Sequence, residues 1–176
     1  IGEGVAANLL PNGQWVGSLD NISRTSGYWI KQTSSDELEV TGLPSESDLL
    51  FELHYGANLI SYPFLGSSSL ESTLPDEVYD NVTGIIGEGV ASTRVNGTWQ
   101  GSIDVIEPTS SYYVKASENV TLEYQGDALS LYTIYDIHSG NNYVSFPHMI
   151  CMDTNHAINP EYHGVITSIQ GEGLAA

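Results

Sequence analysis

The residues with the clearest capacity for chemistry lie close together near the end of the chain. His148, Cys151, His156 and His163 include three of the five histidines and the sole cysteine. Imidazole and thiolate groups are good ligands for zinc or copper. Their spacing matches no standard metal site, so the sequence offers a metal centre here only as a hypothesis. A metal-dependent hydrolase is the enzyme class that such a site would serve.

The same segment has two other interpretations. Cys151 and His156 could act as a nucleophile and a base, although the sequence shows no group that would orient the base. Cys151 could instead fill space in a core together with Met149 and Met152, as these residue types commonly do. The sequence leaves these alternatives open.

Calcium is the other metal that the composition suggests. Asp76, Glu77 and Asp80 supply carboxylates within one short segment, but they lack the spacing of an EF-hand loop. The cofactor therefore remains undecided between zinc, calcium and none.

Paired aromatic residues provide candidates for ligand binding. Tyr28-Trp29 and Tyr112-Tyr113 each precede a β-branched residue and a lysine. In a strand, one member of each pair must face away from the core. Trp29 and Tyr113 could thus stack on a sugar or on an apolar peptide side chain. Packing in the core or against a neighbouring unit is the alternative.

These motifs recur because the chain is internally duplicated. The Trp-x-Gly-Ser motif at Trp15 returns at Trp99, 84 positions later, and His54 returns as His138 at the same shift. A Gly-Glu-Gly motif occurs three times, beginning at Gly2, Gly87 and Gly171. A fixed period of this kind is typical of repeat proteins. A repeated lone histidine most often bonds to nearby backbone, and we expect the Gly-Glu-Gly motif to form a tight turn.

The duplication sets the expected domain organisation. Residues 1–86 form a first repeat unit, residues 87–170 a second, and residues 171–176 begin a third copy. Either the chain is part of a longer tandem array, or its first and last segments occupy equivalent places in one closed pseudo-symmetric domain. A unit of about 84 residues is marginal alone, which favours close pairing of the two units.

Short runs of β-forming residues separated by turn signals predict the fold. Tyr28–Lys31 is rich in aromatic and β-branched residues, and Leu38–Val40 alternates apolar and polar side chains. Asn96-Gly97 is a strong hairpin signal. Ser72–Tyr79 is the one segment typical of a helical turn. We therefore predict a mainly β fold, an internally duplicated β module with short helical segments.

The charge excludes two classes of partner. The chain has 22 acidic and 4 basic residues, a formal charge of −18. Nucleic acid binding requires clustered Lys and Arg, and anionic lipid surfaces attract the same residues, so neither partner is expected. The acidic composition, rich in hydroxyl residues and poor in Lys, favours an extracellular or cell-surface location.

Four motifs together resemble a known type of repeat. Trp-Val-Gly-Ser-Leu (15–19), Gly-Tyr-Trp-Ile-Lys (27–31), Gly-x-Asn-Leu-Ile-Ser-Tyr-Pro (56–63) and Ile-Gly-Glu-Gly-Val-Ala (86–91) are similar to repeats of large secreted or surface proteins of aquatic bacteria. Those repeats usually carry Trp at the positions of Ala57 and Asn141. The resemblance implies an extracellular β module and no particular catalytic residues.

The expected function is therefore a non-enzymatic repeat module of a larger surface or secreted protein, either structural or binding a glycan, a peptide or neighbouring repeats. A metal-dependent hydrolase is the first alternative. The second is a self-assembling fibre subunit, because the last six residues copy the first and end strands could exchange between neighbouring chains.

Overall fold

The computed structural model describes residues 4–41, 43, 47–74, 76–130, 132–146, 148 and 151–172. Three short helices, a 3-10 helix and eighteen strands make up these described ranges, so the predicted mainly β fold is confirmed. In chain order the elements are β1 Val5–Leu9, β2 Trp15–Gly17, β3 Asn21–Ile22, β4 Tyr28–Gln32, β5 Asp36–Thr41, β6 Asp48–Leu53, β7 Gly56–Ser61, β8 Ser68–Ser69, α1 Leu70–Thr73, α2 Asp76–Tyr79, β9 Val82–Gly87, β10 Val90–Val95, β11 Thr98–Gly101, β12 Val105–Ile106, β13 Ser111–Ala116, β14 Val120–Gln125, β15 Tyr132–Ile137, β16 Gly140–Val144, β17 Met152–Asp153, α3 Thr154–Ala157, the 3-10 helix Pro160–Gly164 and β18 Ile166–Gly171.

Two hydrophobic cores organise these elements, and neither belongs to a single repeat unit. All buried members of one core lie between Leu49 and Tyr124. The members of the other lie between Ala7 and Val40 and again between Tyr135 and Ile169. We call residues 48–125 the continuous module, and residues 5–41 together with 132–171 the split module. Each module therefore combines residues of both repeat units.

Each module contains one five-stranded antiparallel sheet. The strand order is β7-β13-β9-β10-β11 in the continuous module and β16-β4-β18-β1-β2 in the split module. Corresponding pairs have the same register, because Tyr113 faces Leu59 in one sheet and Tyr143 faces Trp29 in the other. These four positions are related by the 84-residue shift, so the duplication seen in the sequence is repeated in the strand pairing.

The second half of each module is a two-stranded ribbon that covers its core. In the continuous module β6 pairs with β14, and in the split module β5 pairs with β15. Leu38 and Val40 are buried while Glu37 and Glu39 are exposed, as the alternating pattern predicts. The ribbon of the split module thus joins the first and last parts of the chain.

The repeated Trp-x-Gly-Ser motif shapes the edge of each sheet. A Cβ atom on Gly17 would lie 2.0 Å from the carbonyl oxygen of Ala6, and one on Gly101 would lie 2.1 Å from that of Ala91. Only glycine allows this close approach of two backbones. The next residue, Ser18, accepts a hydrogen bond from the Ala6 amide at 3.2 Å, which fixes β1 against the turn.

The predicted turn and helical segment are also present in the structure. Asn96 and Gly97 both have positive φ, 51° and 80°, and they connect β10 to β11. The Ser72–Tyr79 segment contains the end of α1 and all of α2, each only four residues long. No helix in the described ranges is long and apolar enough to cross a membrane.

One buried side chain distinguishes the split module from its counterpart. Gln32 is 3% exposed, and its amide nitrogen and oxygen have no hydrogen-bond partner among the described residues. The equivalent position in the continuous module is Ala116, which is equally buried. An unsatisfied buried amide costs about 1–3 kcal/mol, so Gln32 lowers the stability of the split module.

We expect Gln32→Leu to increase the free energy of unfolding by about 1 kcal/mol, because the apolar side chain removes that penalty. The reciprocal change Ala116→Gln should decrease it by a similar amount or more. Urea unfolding of both variants measures the effect. A destabilising Gln32→Leu would show that the amide has a partner in solution.

Candidate functional site

The junction between the modules contains the aromatic residues proposed for ligand binding. Trp29 of β4 stacks on Tyr143 of β16, with ring centroids 5.0 Å apart, and meets Tyr113 of β13 edge-on at 6.1 Å. Both Trp29 and Tyr113 are only partly buried. The structure thus brings the two residues together across the junction and packs them on each other, as the neighbour-packing alternative predicts. A ligand role for them stays a prediction.

Backbone hydrogen bonds continue across the same junction. The Gly27 amide, just before β4, donates to the Leu59 carbonyl oxygen of β7 at 3.0 Å. The Ser145 amide, just after β16, donates to the Thr109 carbonyl oxygen at 2.7 Å. One edge of each five-stranded sheet, β7 in the continuous module and β16 in the split module, is therefore contacted by a segment of the other module.

The third Gly-Glu-Gly motif supplies a carboxylate that links the two modules. Glu172 follows β18 in the split module, and its Oε1 lies 3.0 Å from Nε2 of His54 in the continuous module. Its other oxygen accepts a hydrogen bond from the Leu59 amide. One side chain thereby binds both a side chain and an otherwise free backbone donor of its neighbour.

The second Gly-Glu-Gly motif makes the same contact in the opposite direction. Glu88 of the continuous module accepts a hydrogen bond from the Tyr143 amide at 3.1 Å and contacts Nε2 of His138 in the split module. We call these two arrangements, Glu172 with His54 and Glu88 with His138, the clasps. They lie at positions related by the repeat, so the modules hold each other reciprocally.

The geometry of the clasps favours histidines that are protonated on both nitrogens. Nδ1 of His54 lies 2.8 Å from the Tyr55 carbonyl oxygen, and Nδ1 of His138 lies 2.9 Å from that of Ser139. Carbonyl and carboxylate oxygens only accept hydrogen bonds, so each ring must donate from both sides. The backbone contact foreseen for these histidines is confirmed.

The same contacts raise the pKa of both histidines. For His54 the main cause is the hydrogen bond to the Tyr55 carbonyl, followed by the Glu172 carboxylate. For His138 the order is the Ser139 carbonyl and then Glu88. Because both groups favour the imidazolium, the clasps are strongest where the histidines are charged.

A polar cleft of about 710 Å³ lies beside the Glu172 clasp, between the two modules. The split module contributes a loop of hydroxyl, amide and carboxylate groups, and the continuous module contributes the outer face of β6 and part of β7. Its polar lining includes Asp20, Asn21, Ser23, Ser26, Glu52 and His54. Hydrogen-bonding side chains from both modules therefore face one space in this cleft.

The four residues proposed as metal ligands lie in different surroundings. His148 is 3% exposed and packs edge-on against Phe146, with centroids 4.6 Å apart, while Cys151 is exposed. His156 is exposed and its Nδ1 lies 3.5 Å from Asp153. His163 packs against the indole of Trp15 at 6.0 Å.

The metal hypothesis is therefore not supported in the part of the chain that is described, where no three His, Cys, Asp or Glu side chains converge on one point. Nearness in sequence does not bring these side chains together, because β17, α3 and the 3-10 helix direct them to different neighbours. Burial lowers the pKa of His148, which is typical of a core histidine. Met149 lies outside the described residues.

Among the described residues, the proposed calcium ligands Asp76 and Asp80 belong to no cluster of three or more possible metal ligands. Asp80 accepts a hydrogen bond from Nη2 of Arg94 at 2.7 Å. Asp76 begins α2, and the side chain of Glu77 lies outside the described part. The Asp80 carboxylate, which a calcium ion would need as a ligand, is therefore already paired with the Arg94 guanidinium.

The sequence analysis missed the glutamates of the clasps. The Gly-Glu-Gly motif was interpreted only as a turn, which Gly89, with φ of 69°, does form after Glu88. A signal was present, because Glu and His are charged or titratable residues that recur with the repeat. Their pairing could not be read from the sequence, since 118 positions separate His54 from Glu172.

Comparison with known proteins adds no relative. No protein-family model matches the chain, and no curated protein or solved structure is significantly similar to it.

We expect the clasp histidines to stabilise the protein at low pH and to lose this contribution at high pH. Their pKa is raised in the folded state, so the stabilisation is complete below the unfolded value, about 6.5, and disappears as pH rises through the folded value. His54→Gln/His138→Gln should be less stable than the parent by up to about 1 kcal/mol for each exposed pair near pH 5.

Urea unfolding between about pH 5 and pH 9 measures this difference. The variant and the parent should converge as pH rises. A difference that grows with pH would contradict the protonated clasp.

The absence of a converging ligand set among the described residues predicts the response to zinc. Replacing Cys151 with Ser and His156 with Ala together should change neither the bound zinc, measured by elemental analysis, nor the melting temperature in the presence of zinc. A zinc-dependent rise in melting temperature that these substitutions abolish would restore the metal-site hypothesis.

Proposed function

We propose that this chain is a non-enzymatic repeat module of a larger secreted or cell-surface protein, with a structural role. The observation that supports this proposal is the role of the recurring polar residues in the structure. They connect the two modules in two separate pairs, Glu172 with His54 and Glu88 with His138, and do not converge as an active site. Residues that recur in a repeat and hold its copies together are what a structural module requires.

The location rests on composition. The formal charge of −18 is carried by surfaces such as that of β5, where Asp36, Glu37 and Glu39 are exposed. Such a surface keeps the protein soluble and repels nucleic acid and anionic lipid. The resemblance to repeats of large surface proteins favours the same location.

A second candidate function, binding of a polar ligand, is favoured by the cleft between the modules. Its volume of about 710 Å³ lies within the range of small-molecule sites, about 300–1,000 Å³. The carboxylates of Asp20 and Glu52 and the amide of Asn21 could bind the hydroxyl groups of a glycan or the donors of a peptide. The carboxylate and amide groups that line the cleft therefore favour a glycan or a peptide as the ligand.

Binding of the protein to an array of neutral and cationic oligosaccharides and of peptides distinguishes the structural role from the ligand-binding role. The structural role predicts no saturable binding by the parent protein. The binding function predicts saturable binding by the parent protein, and the double variant Asp20→Asn/Glu52→Gln should lose that binding. Asp104→Asn/Asp136→Asn is the matched control, because those carboxylates occupy the repeat-equivalent positions outside this cleft. Saturable binding lost only in the first variant would replace the structural role with the binding role.

A further inference from the structure

The split module is assembled from two chain segments that no covalent bond joins within the module. Strand β18 pairs with β1 and β4, β16 pairs with β4, and β15 pairs with β5. Every one of these pairings joins residues 5–41 to residues 132–171. The continuous module forms the corresponding pairings within a single stretch of 48–125.

The two modules differ most clearly in how the strands on either side of the Gly-Glu-Gly motif are connected. In the continuous module this turn connects β9 directly to β10, and Val90 faces Gly87. In the split module the equivalent strands are β18 and β1, and Val5 faces Gly171 without a connecting turn. Strand β1 is thus joined to β18 by hydrogen bonds and packing and not by a turn, although a turn does connect β1 to β2.

The sequence after β18 also repeats the segment that should follow it. Glu172-Gly173-Leu174-Ala175-Ala176 corresponds to Glu88-Gly89-Val90-Ala91-Ser92. Strand β1 carries nearly the same sequence, Val5-Ala6-Ala7, so β18 accepts a strand of this sequence through its residue pattern and not through a connecting turn.

We propose that two copies of this chain exchange residues 5–41, so that each split module is completed by a partner copy. The exchange forms the same strand pairs and the same core contacts as the closed chain, because the donated segment is chemically identical. Such swapping requires no new interface. The proposal does not depend on the proposed structural role, since it concerns only how the module is completed.

Charge determines when exchange is favoured. Two copies, each with a formal charge of −18, repel each other at low ionic strength. At about 1 M salt the Debye length falls to about 3 Å, and the repulsion between copies is largely screened. We therefore expect exchange to increase with both protein concentration and salt.

Interchain disulfide trapping tests the exchange. Ala6 faces Gln170 across β1 and β18, and residues directly opposite in an antiparallel pair have the Cα separation of a disulfide, about 4.5–5.5 Å. Two variants, Ala6→Cys and Gln170→Cys, are made in a Cys151→Ser background. They are mixed in urea, refolded together in salt and oxidised with oxidised glutathione, which accepts the two electrons.

The matched control is the equivalent pair in the continuous module. Ala91 faces Ile86, but the covalent turn keeps these two strands in one chain. We expect the first mixture to give the heterodimeric disulfide, identified by mass spectrometry, in about tenfold excess over the mixture of Ala91→Cys and Ile86→Cys. Equal or absent heterodimer in the two mixtures would overturn the proposal.

Two further measurements keep the test decisive. The double variant Ala6→Cys/Gln170→Cys should form the disulfide within one chain when refolded dilute, which shows that the geometry permits it. Light scattering of the parent protein, refolded concentrated in high salt, should show a mass above that of the monomer. A monomeric mass under all conditions would overturn the proposal even if the variants failed to fold.

Discussion

The structure depends on one constraint, which is that each hydrophobic core needs strands from both repeat units. A single unit contributes one part to each core, Ala7–Val40 to one and Leu49–Ile85 to the other. Burial of apolar area is the main favourable term in folding. A unit taken alone would leave both of its halves exposed, so the packing boundaries lie within the units rather than between them.

The junction follows from this arrangement. The chain crosses between modules after Thr41 and again after Gln125, and the edge strands β7 and β16 both lie at the junction. Exposed strand edges must be covered to avoid unwanted pairing. Backbone bonds at Gly27 and Ser145, the edge-on contacts of Tyr113 with Trp29 and Tyr143, and the two clasps provide that cover. Carboxylates satisfy the edge amides of Leu59 and Tyr143 at this point.

Local features of the fold were predictable, because short-range physics determines them. Asn96-Gly97 forms the hairpin turn, Leu38 and Val40 alternate with exposed acids, and the 84-residue shift relates Tyr113 to Trp29. Long-range partners were not predictable. Nothing local indicates that Glu172 binds His54. Closeness in sequence likewise does not bring His148, Cys151, His156 and His163 together among the described residues. Side chains a few residues apart diverge when they lie on different short elements.

The location of the packing boundaries is tested most directly by comparing two fragments. Residues 48–125, the continuous module, should give a dispersed amide NMR spectrum and cooperative unfolding in urea, because they contain a complete core. Residues 1–86, the first repeat unit, should do neither, because half of each of its cores is missing. A folded 1–86 fragment together with an unfolded 48–125 fragment would contradict the account.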